Sequence, residues 1–228
     1  MASGSWFLHH PYVLRDGELA RWTAAVYRAR TDWSPCFEGV QFTLGRAFYT
    51  HLEEGRRDEY FARARASDAV VERALPGLQT RVSAILATLV GAPVLPRPGW
   101  CGPGLHIFPA GEWLARHGGD VHFDTEGLRR EELAARLPAL SVILMLQPPE
   151  RGGGLRVWDA VYADDGPDPD LLAARPETPS ATIEYAAGDL VAIDSYRLHQ
   201  IQPFEGARDR ISITAHLLFV DGCWQSWF

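Results

Sequence analysis

Residues 210–217 read Arg210-Ile211-Ser212-Ile213-Thr214-Ala215-His216-Leu217, a strict alternation of polar and apolar side chains. Alternation at period two is the mark of a β-strand, and it sends Arg210, Ser212, Thr214 and His216 to one face and the four apolar residues to the other. The apolar face belongs against a core. A face carrying a guanidinium, two hydroxyls and an imidazole is expected where a strand lines a binding cavity. Arginine suits bidentate recognition of a carboxylate, and neighbouring hydroxyls can add hydrogen bonds. A surface ion pair with Asp209 is the competing reading of Arg210. His216 divides evenly between cavity lining and a satisfied core histidine.

Other short apolar runs punctuated by Pro and Gly surround this strand. With residues 104–109, 121–124, 140–147, 155–160, 182–185, 190–194, 199–201 and 210–220, the chain offers about eight candidate strands, the number of a double-sheet jelly roll or cupin-like barrel. Gly188-Asp189 is a natural turn into the apolar run that follows it. Residues 129–136 suit a short helix, and 164–179, rich in Asp and Pro, form the longest interruption, either a lid or a solvated insertion.

The first part of the chain has a different character. After an irregular lead-in over 1–16, Asp16 can cap a helix through Arg28 with Leu19, Trp22, Val26 and Tyr27 as its apolar stripe. Residues 40–49 are β-rich. Ser67 suits an N-cap for a helix over 68–75, and Pro76 suits the start of a second over 78–90, closed by Gly91. Val82, Ile85, Leu86, Leu89 and Val90 are spaced to pack one helix face on a sheet. The expected fold class is therefore α+β, mainly β: one domain over 1–228, with helical support in 1–92 and a double-stranded β-helix (jelly roll) core in 93–228, the helices packed on one sheet.

Composition excludes several functions. The chain has 228 residues, 46% hydrophobic and 22% charged, as expected of a soluble globular protein. Its net charge of −7 argues against a nucleic-acid grip, which needs clustered cations. All 22 Lys+Arg residues are arginine, so lysine Schiff-base and phosphate-binding lysine chemistry are unavailable. Cys36, Cys101 and Cys223 are too far apart for a C-x-x-C motif and odd in number, which points to a reducing cytoplasm. No basic-then-apolar leader opens the chain, and its longest apolar segment, 82–95, is too short to span a bilayer and contains Pro93.

Val121-His122-Phe123-Asp124 places an imidazole and a carboxylate at i and i+2, hence on one face of a strand. Alone this reads as a structural hydrogen-bonded pair. With His199 on a late strand, the three would form a two-His-one-carboxylate face on an octahedral metal such as Fe(II), leaving three positions open.

These features together resemble the iron/2-oxoglutarate-dependent dioxygenase superfamily, and within it the prolyl-hydroxylase-like group. The resemblance covers about residues 104–220 and rests on His122-x-Asp124, Gly153-Gly154-Leu155-Arg156-Val157-Trp158, the Gly188-Asp189-Leu190 turn, His199, and Arg210-x-Ser212-x-Thr214. It implies that His122, Asp124 and His199 bind Fe(II), that Arg210 and Thr214 hold the distal carboxylate of 2-oxoglutarate with Ser212 beside them, and that Leu155 lines the co-substrate pocket. The group often has a tyrosine on the strand before the H-x-D motif; here that strand offers His106 and Phe108, so the contact is missing or falls to His106. Halogenases of the superfamily have a small residue where this chain keeps Asp124, which favours hydroxylation.

The resemblance further implies that O2 and 2-oxoglutarate are consumed and succinate is released. The expected substrate is a small molecule, an amino acid or natural-product intermediate, with Trp158, His216 and Arg116 as candidate contacts. No nucleic-acid or membrane partner is expected, and the chain is expected to be a monomer or homodimer. A peptidyl hydroxylase of the same superfamily, or a cupin-like metal oxygenase that does not use 2-oxoglutarate, are the alternatives.

Overall fold

The computed structural model describes residues 6–228. Among them, nine strands form one sheet. Its main path runs Phe7–His10, Leu190–Asp194, Ala139–Gln147, Arg210–Val220, Gly104–Phe108, Gln41–Leu44 and Ser34–Cys36, each antiparallel to the next. Cys223–Trp227 folds back on Arg210–Val220 and takes Val94–Pro96 alongside it in parallel. A second sheet joins Arg197–Ile201, Leu155–Val161 and Ser180–Ile183.

The alternation in 210–217 decides how these layers stack. Ile211, Ile213, Ala215 and Leu217 are buried in one cluster with Leu105, Ile107, Val142 and Leu144 of neighbouring strands. Helices Asp16–Arg28, Arg57–Ala74 and Leu78–Val90 cover that face, contributing Trp22, Val26, Val71, Val82, Ile85 and Leu86. The expected helical layer on one sheet is present. On the opposite face, Ile143, Val191 and Ile193 pack against Leu155, Val157 and Ile183 of the second sheet. The two sheets thus face each other, and the space between them beyond this apolar plug is where the polar face of Arg210–Val220 points.

Several local expectations need correction. The lead-in over 1–16 is not wholly irregular: Phe7–His10 is an edge strand, and His9 Nε2 donates to Asp189 Oδ2 at 2.8 Å, bracing the turn into Leu190. Residues 1–5 lie outside the described residues. Asp16 sits in the first turn of its helix, with Arg15 at the N-cap. Ser67 caps nothing; it is buried within the single helix Arg57–Ala74, where its hydroxyl accepts the Arg46 N–H at 2.8 Å. Residues 40–49 divide into strand Gln41–Leu44 and the start of helix Phe48–Glu53. Within 164–179 lies a short helix, Pro169–Ala174, capped by Asp168. Its Leu172 and Ala173 pack beside Phe123 and Trp158, away from the space between the sheets. The Trp227 and Phe228 pair is packing: Phe228 is fully buried, and its carbonyl accepts Tyr60 Oη at 2.7 Å. Among the described residues, no helix is long and apolar enough to cross a membrane.

Candidate metal centre and its cavity

Residues 118–124 run antiparallel to the strand that carries His199, but not as a regular strand. Gly119 N–H donates to Ile201 O, His122 and His199 exchange both backbone hydrogen bonds at 3.1 and 3.0 Å, and Asp124 N–H donates to Ser195 O. Two residues on one side thus span four on the other, because the chain turns at Asp194-Ser195-Tyr196; the result is an isolated bridge rather than the expected strand over 121–124. Gly118 makes the approach possible: it has φ +82°, and a Cβ there would lie 2.6 Å from Ile201 O.

This pairing brings His122, Asp124 and His199 together. Asp124 Oδ1 lies 3.5 Å from His122 Nε2, Asp124 Oδ2 lies 3.3 Å from His199 Nε2, and the candidate donor atoms of all three lie within 4.8 Å of one another. Nitrogen and oxygen ligands about 2 Å from a common ion sit roughly 3 Å apart, so the spacing suits a cation at their centre. Each imidazole is also held in the right tautomer. His122 Nδ1 donates to Asp120 O at 2.8 Å and His199 Nδ1 donates to Arg197 O at 2.9 Å. A carbonyl only accepts, so the proton sits on Nδ1 and Nε2 is the atom left for a metal. Burial pulls the His122 imidazole down, but the Asp124 carboxylate outweighs this and lifts it to about 9. Burial would raise Asp124, yet the His199 and His122 imidazoles hold it well below the usual carboxylate range.

Arg210 is the second distinctive group. It is 1% exposed, its Nε donates to Gly153 O at 3.0 Å, and its Nη2 is buried with no hydrogen-bond partner. Its guanidinium lies 5.4 Å from the Phe108 ring centre and 5.5 Å from that of Tyr185, whose hydroxyl is also buried and unpartnered. Among the described residues no carboxylate is within ion-pair distance of it. Asp209 is not the partner: it accepts from Ala110 N at 2.9 Å and Tyr27 Oη at 3.2 Å. Burial of this charge without a counter-ion lowers its affinity for its proton and is costly to the fold unless an anion arrives.

Both features open into one cavity of about 450 Å³. His122, Asp124, His199, Arg210, Ser212, Thr214, His216, Leu155 and His106 all line it. His106 pairs with Ser212 across the strands, and burial, with the nearby His216 and Arg210, holds its imidazole down to about 3, so it is neutral. Trp158 and Arg116 do not reach the cavity. Trp158 is an odd number of residues from Leu155 on the same strand, so it faces the other way, into a cluster with Phe123, Ala160 and Leu198. Arg116 is exposed on helix Trp113–His117, which turns Trp113 and Leu114 toward the cavity instead.

The sequence reading missed one whole wall, made by Phe37, Val40, Gln41, Tyr49 and Glu53, together with Glu126 opposite. Tyr49 is half-buried, with its ring 5.5 Å from that of His106 and its hydroxyl bonded to Gln41. The phenol expected on the strand before H-x-D is thus absent there, and two tyrosines reach the region from other elements, Tyr49 beside His106 and Tyr185 beside Arg210. Burial, and then the charge of Asp124, lift Glu126 to about 7.

Fold and site together define a mainly β protein of two facing sheets with a His-Asp-His cluster and a buried arginine in the space between them. Solved structures with this fold include the non-heme alpha-ketoglutarate-dependent carbocyclase SnoK from nogalamycin biosynthesis, at 17% identity and TM-score 0.60, covering 93% of this chain and 79% of that one. An N-substituted L-amino acid dioxygenase from Burkholderia ambifaria AMMD is similar at 15% identity and TM-score 0.60, covering 100% of this chain and 88% of that one. The epimerase SnoN, solved with Fe3+, alpha-ketoglutarate and nogalamycin RO, is similar at 18% identity and TM-score 0.56, covering 93% and 78%. At these identities the likeness is one of fold. No protein-family model and no curated protein sequence matches the chain.

Proposed function

We propose that the chain is an Fe(II)/2-oxoglutarate-dependent oxygenase that hydroxylates a C–H bond of a small molecule, an amino acid or natural-product intermediate, while 2-oxoglutarate is converted to succinate. One observation carries the reading: a metal-competent His-Asp-His cluster and an unpaired, fully buried arginine share one cavity. A cation alone would account for the cluster, but it would leave Arg210 without a counter-ion. A ligand that chelates the metal at one end and presents a carboxylate at the other satisfies both. The fold neighbours support this, since SnoK is described as alpha-ketoglutarate dependent and SnoN was solved with Fe3+ and alpha-ketoglutarate.

The fit is specific in its donors. His122 Nε2, His199 Nε2 and an Asp124 oxygen would hold iron, with both imidazoles oriented by backbone carbonyls. Arg210 Nη2 would receive the distal carboxylate of 2-oxoglutarate, with Thr214 and Ser212 adding hydroxyl donors from the same strand face. Leu155 and Ile143 would exclude water from the co-substrate, and neutral His106 would flank it. When bound, iron, 2-oxoglutarate and O2 supply the oxidising power. The protein supplies orientation and a shielded cavity, and its half-exposed His122 marks the side from which a substrate approaches.

The test is anaerobic titration of the protein with Fe(II) and 2-oxoglutarate. A weak visible charge-transfer band is expected in the wild type and not in His199→Ala, which is expected to lose oxygen-dependent succinate release as well. Absence of the band in the wild type, or succinate release by His199→Ala at the wild-type rate, would remove the assignment.

A further inference from the structure

The wall formed by residues 37–53 differs from the rest of the cavity in its chemistry. Phe37 and Glu38 adopt left-handed backbone angles, φ +51° and +57°, ahead of Gly39 at +93°, and Phe37 N–H donates to Glu54 Oε1 at 2.7 Å. This conformation places the Phe37 ring 6.3 Å from that of Tyr49. Tyr49 and Glu53 are one helical turn apart in Phe48–Glu53, so the two rings and the Glu53 carboxylate share one side of the cavity. The Tyr49 ring meets His106, which also lines the cavity and whose buried Nδ1 has no hydrogen-bond partner.

The charges are lopsided here. Glu53, Asp120 and Glu126 line the cavity, and none forms an ion pair with an arginine among the described residues. Arg210 is the one guanidinium in the lining. A divalent metal, Asp124, the two carboxylates of 2-oxoglutarate and Arg210 together cancel, so nothing in the co-substrate end offsets Glu53 and Asp120. Aromatic faces beside a carboxylate are the surroundings that attract an organic cation.

We propose that the primary substrate carries a protonated amine, seated between Glu53 and the Phe37 and Tyr49 rings, and has no free carboxylate. The second half rests on the oxygenase reading, in which Arg210 is already occupied by 2-oxoglutarate. Among the broad classes open to the enzyme, this selects amines over free amino acids and other acids.

The test uses three probes of like size: 2-phenylethylammonium, 3-phenylpropanoate and phenylalanine. Their binding to the protein loaded with Fe(II) and 2-oxoglutarate under nitrogen is read from tryptophan fluorescence, since Trp113 lines the cavity. The ammonium probe is expected to bind at least about tenfold more tightly than either of the others, and Glu53→Gln to remove about tenfold of its affinity while leaving the anion unchanged or improved. Equal or tighter binding of 3-phenylpropanoate, a preference unaltered in Glu53→Gln, or no binding of any probe would overturn the proposal. Tight binding of phenylalanine would overturn its second half. The iron charge-transfer band, recorded in the same samples, separates the two readings. A cation preference without the band upholds the amine wall and removes the oxygenase assignment, and the band without a preference does the reverse.

Discussion

Replacing Arg210 by methionine removes the guanidinium while keeping most of the volume of its stem. Two consequences follow from its surroundings, and they have opposite signs. The resting protein loses the Nε bond to Gly153 O, worth about 1 kcal/mol, but it also sheds a buried cation whose Nη2 has no partner. Its melting temperature is therefore expected to hold or rise. The complex with 2-oxoglutarate loses a charge-assisted, water-excluded contact, for which roughly 2–5 kcal/mol is typical. That corresponds to a roughly thirty- to several-thousand-fold weaker affinity. Calorimetric titration under nitrogen with Fe(II) present measures it directly. Pyruvate makes the comparison specific, because it has the keto-acid head of 2-oxoglutarate and lacks the distal carboxylate. Its affinity is expected to be the same in wild type and Arg210→Met. If the variant bound 2-oxoglutarate within about threefold of the wild type, or lost pyruvate equally, Arg210 would not be the distal carboxylate anchor.

Three further outcomes test how the fold holds the site. Glu132→Ala should destabilise the protein by about 3–5 kcal/mol in chemical denaturation, because it strands Arg97, which is 5% exposed, is bonded to both Glu132 oxygens at 2.9 Å and lies over the Trp100 and Trp227 rings. Asp189 is held below the usual carboxylate range: burial pushes it up, but hydrogen bonds from Ala186 N–H, His9 and Tyr12 N–H outweigh that. A depressed folded pKa gives stability that is present above the unfolded value, about 3.9, and lost as pH falls through the folded value. The melting-temperature gap between wild type and Asp189→Asn should accordingly be constant near neutrality and close in acid. Gly104→Ala would place a Cβ 2.2 Å from the Phe228 ring and 3.0 Å from Leu44 O, and should cost about 1–3 kcal/mol by differential scanning calorimetry.

What the sequence made legible depended on whether an element had two chemically different faces. Arg210–Val220 has a helix-covered core on one side and the cavity on the other, so its pattern declares both its structure and its role. The same alternation, counted from Leu155, would have turned Trp158 away from the site. Asp221-Gly222, with φ +52° and +78°, is a hairpin signature that accounts for the return strand Cys223–Trp227. Ser67 was misleading because a buried helical hydroxyl and a cap look alike in sequence, and only the fold reveals that Arg46 uses it. Phe37, Tyr49 and Glu53 had no legible pattern. A left-handed phenylalanine is set by a hydrogen bond from its own N–H to Glu54, seventeen residues away, and a six-residue helix is too short to show a period.

This division has a functional logic. The groups that would hold iron and 2-oxoglutarate sit on paired strands or are backbone-bonded to one, where register fixes their spacing whatever the rest of the sequence does. The groups that would choose a substrate, Phe37, Tyr49 and Glu53, sit on the turn and the short helix that flank strand Gln41–Leu44, and Asp120 and Glu126 sit on loops, so no strand register fixes these five side chains. A likeness of fold at 15–18% identity can therefore be close around the first set and uninformative about the second. It follows that exchanging residues 37–53 between proteins of this fold should alter which organic cation or anion binds while leaving the affinity for 2-oxoglutarate within a few-fold, because Arg210, Ser212 and Thr214 take their positions from strands on the far side of His106.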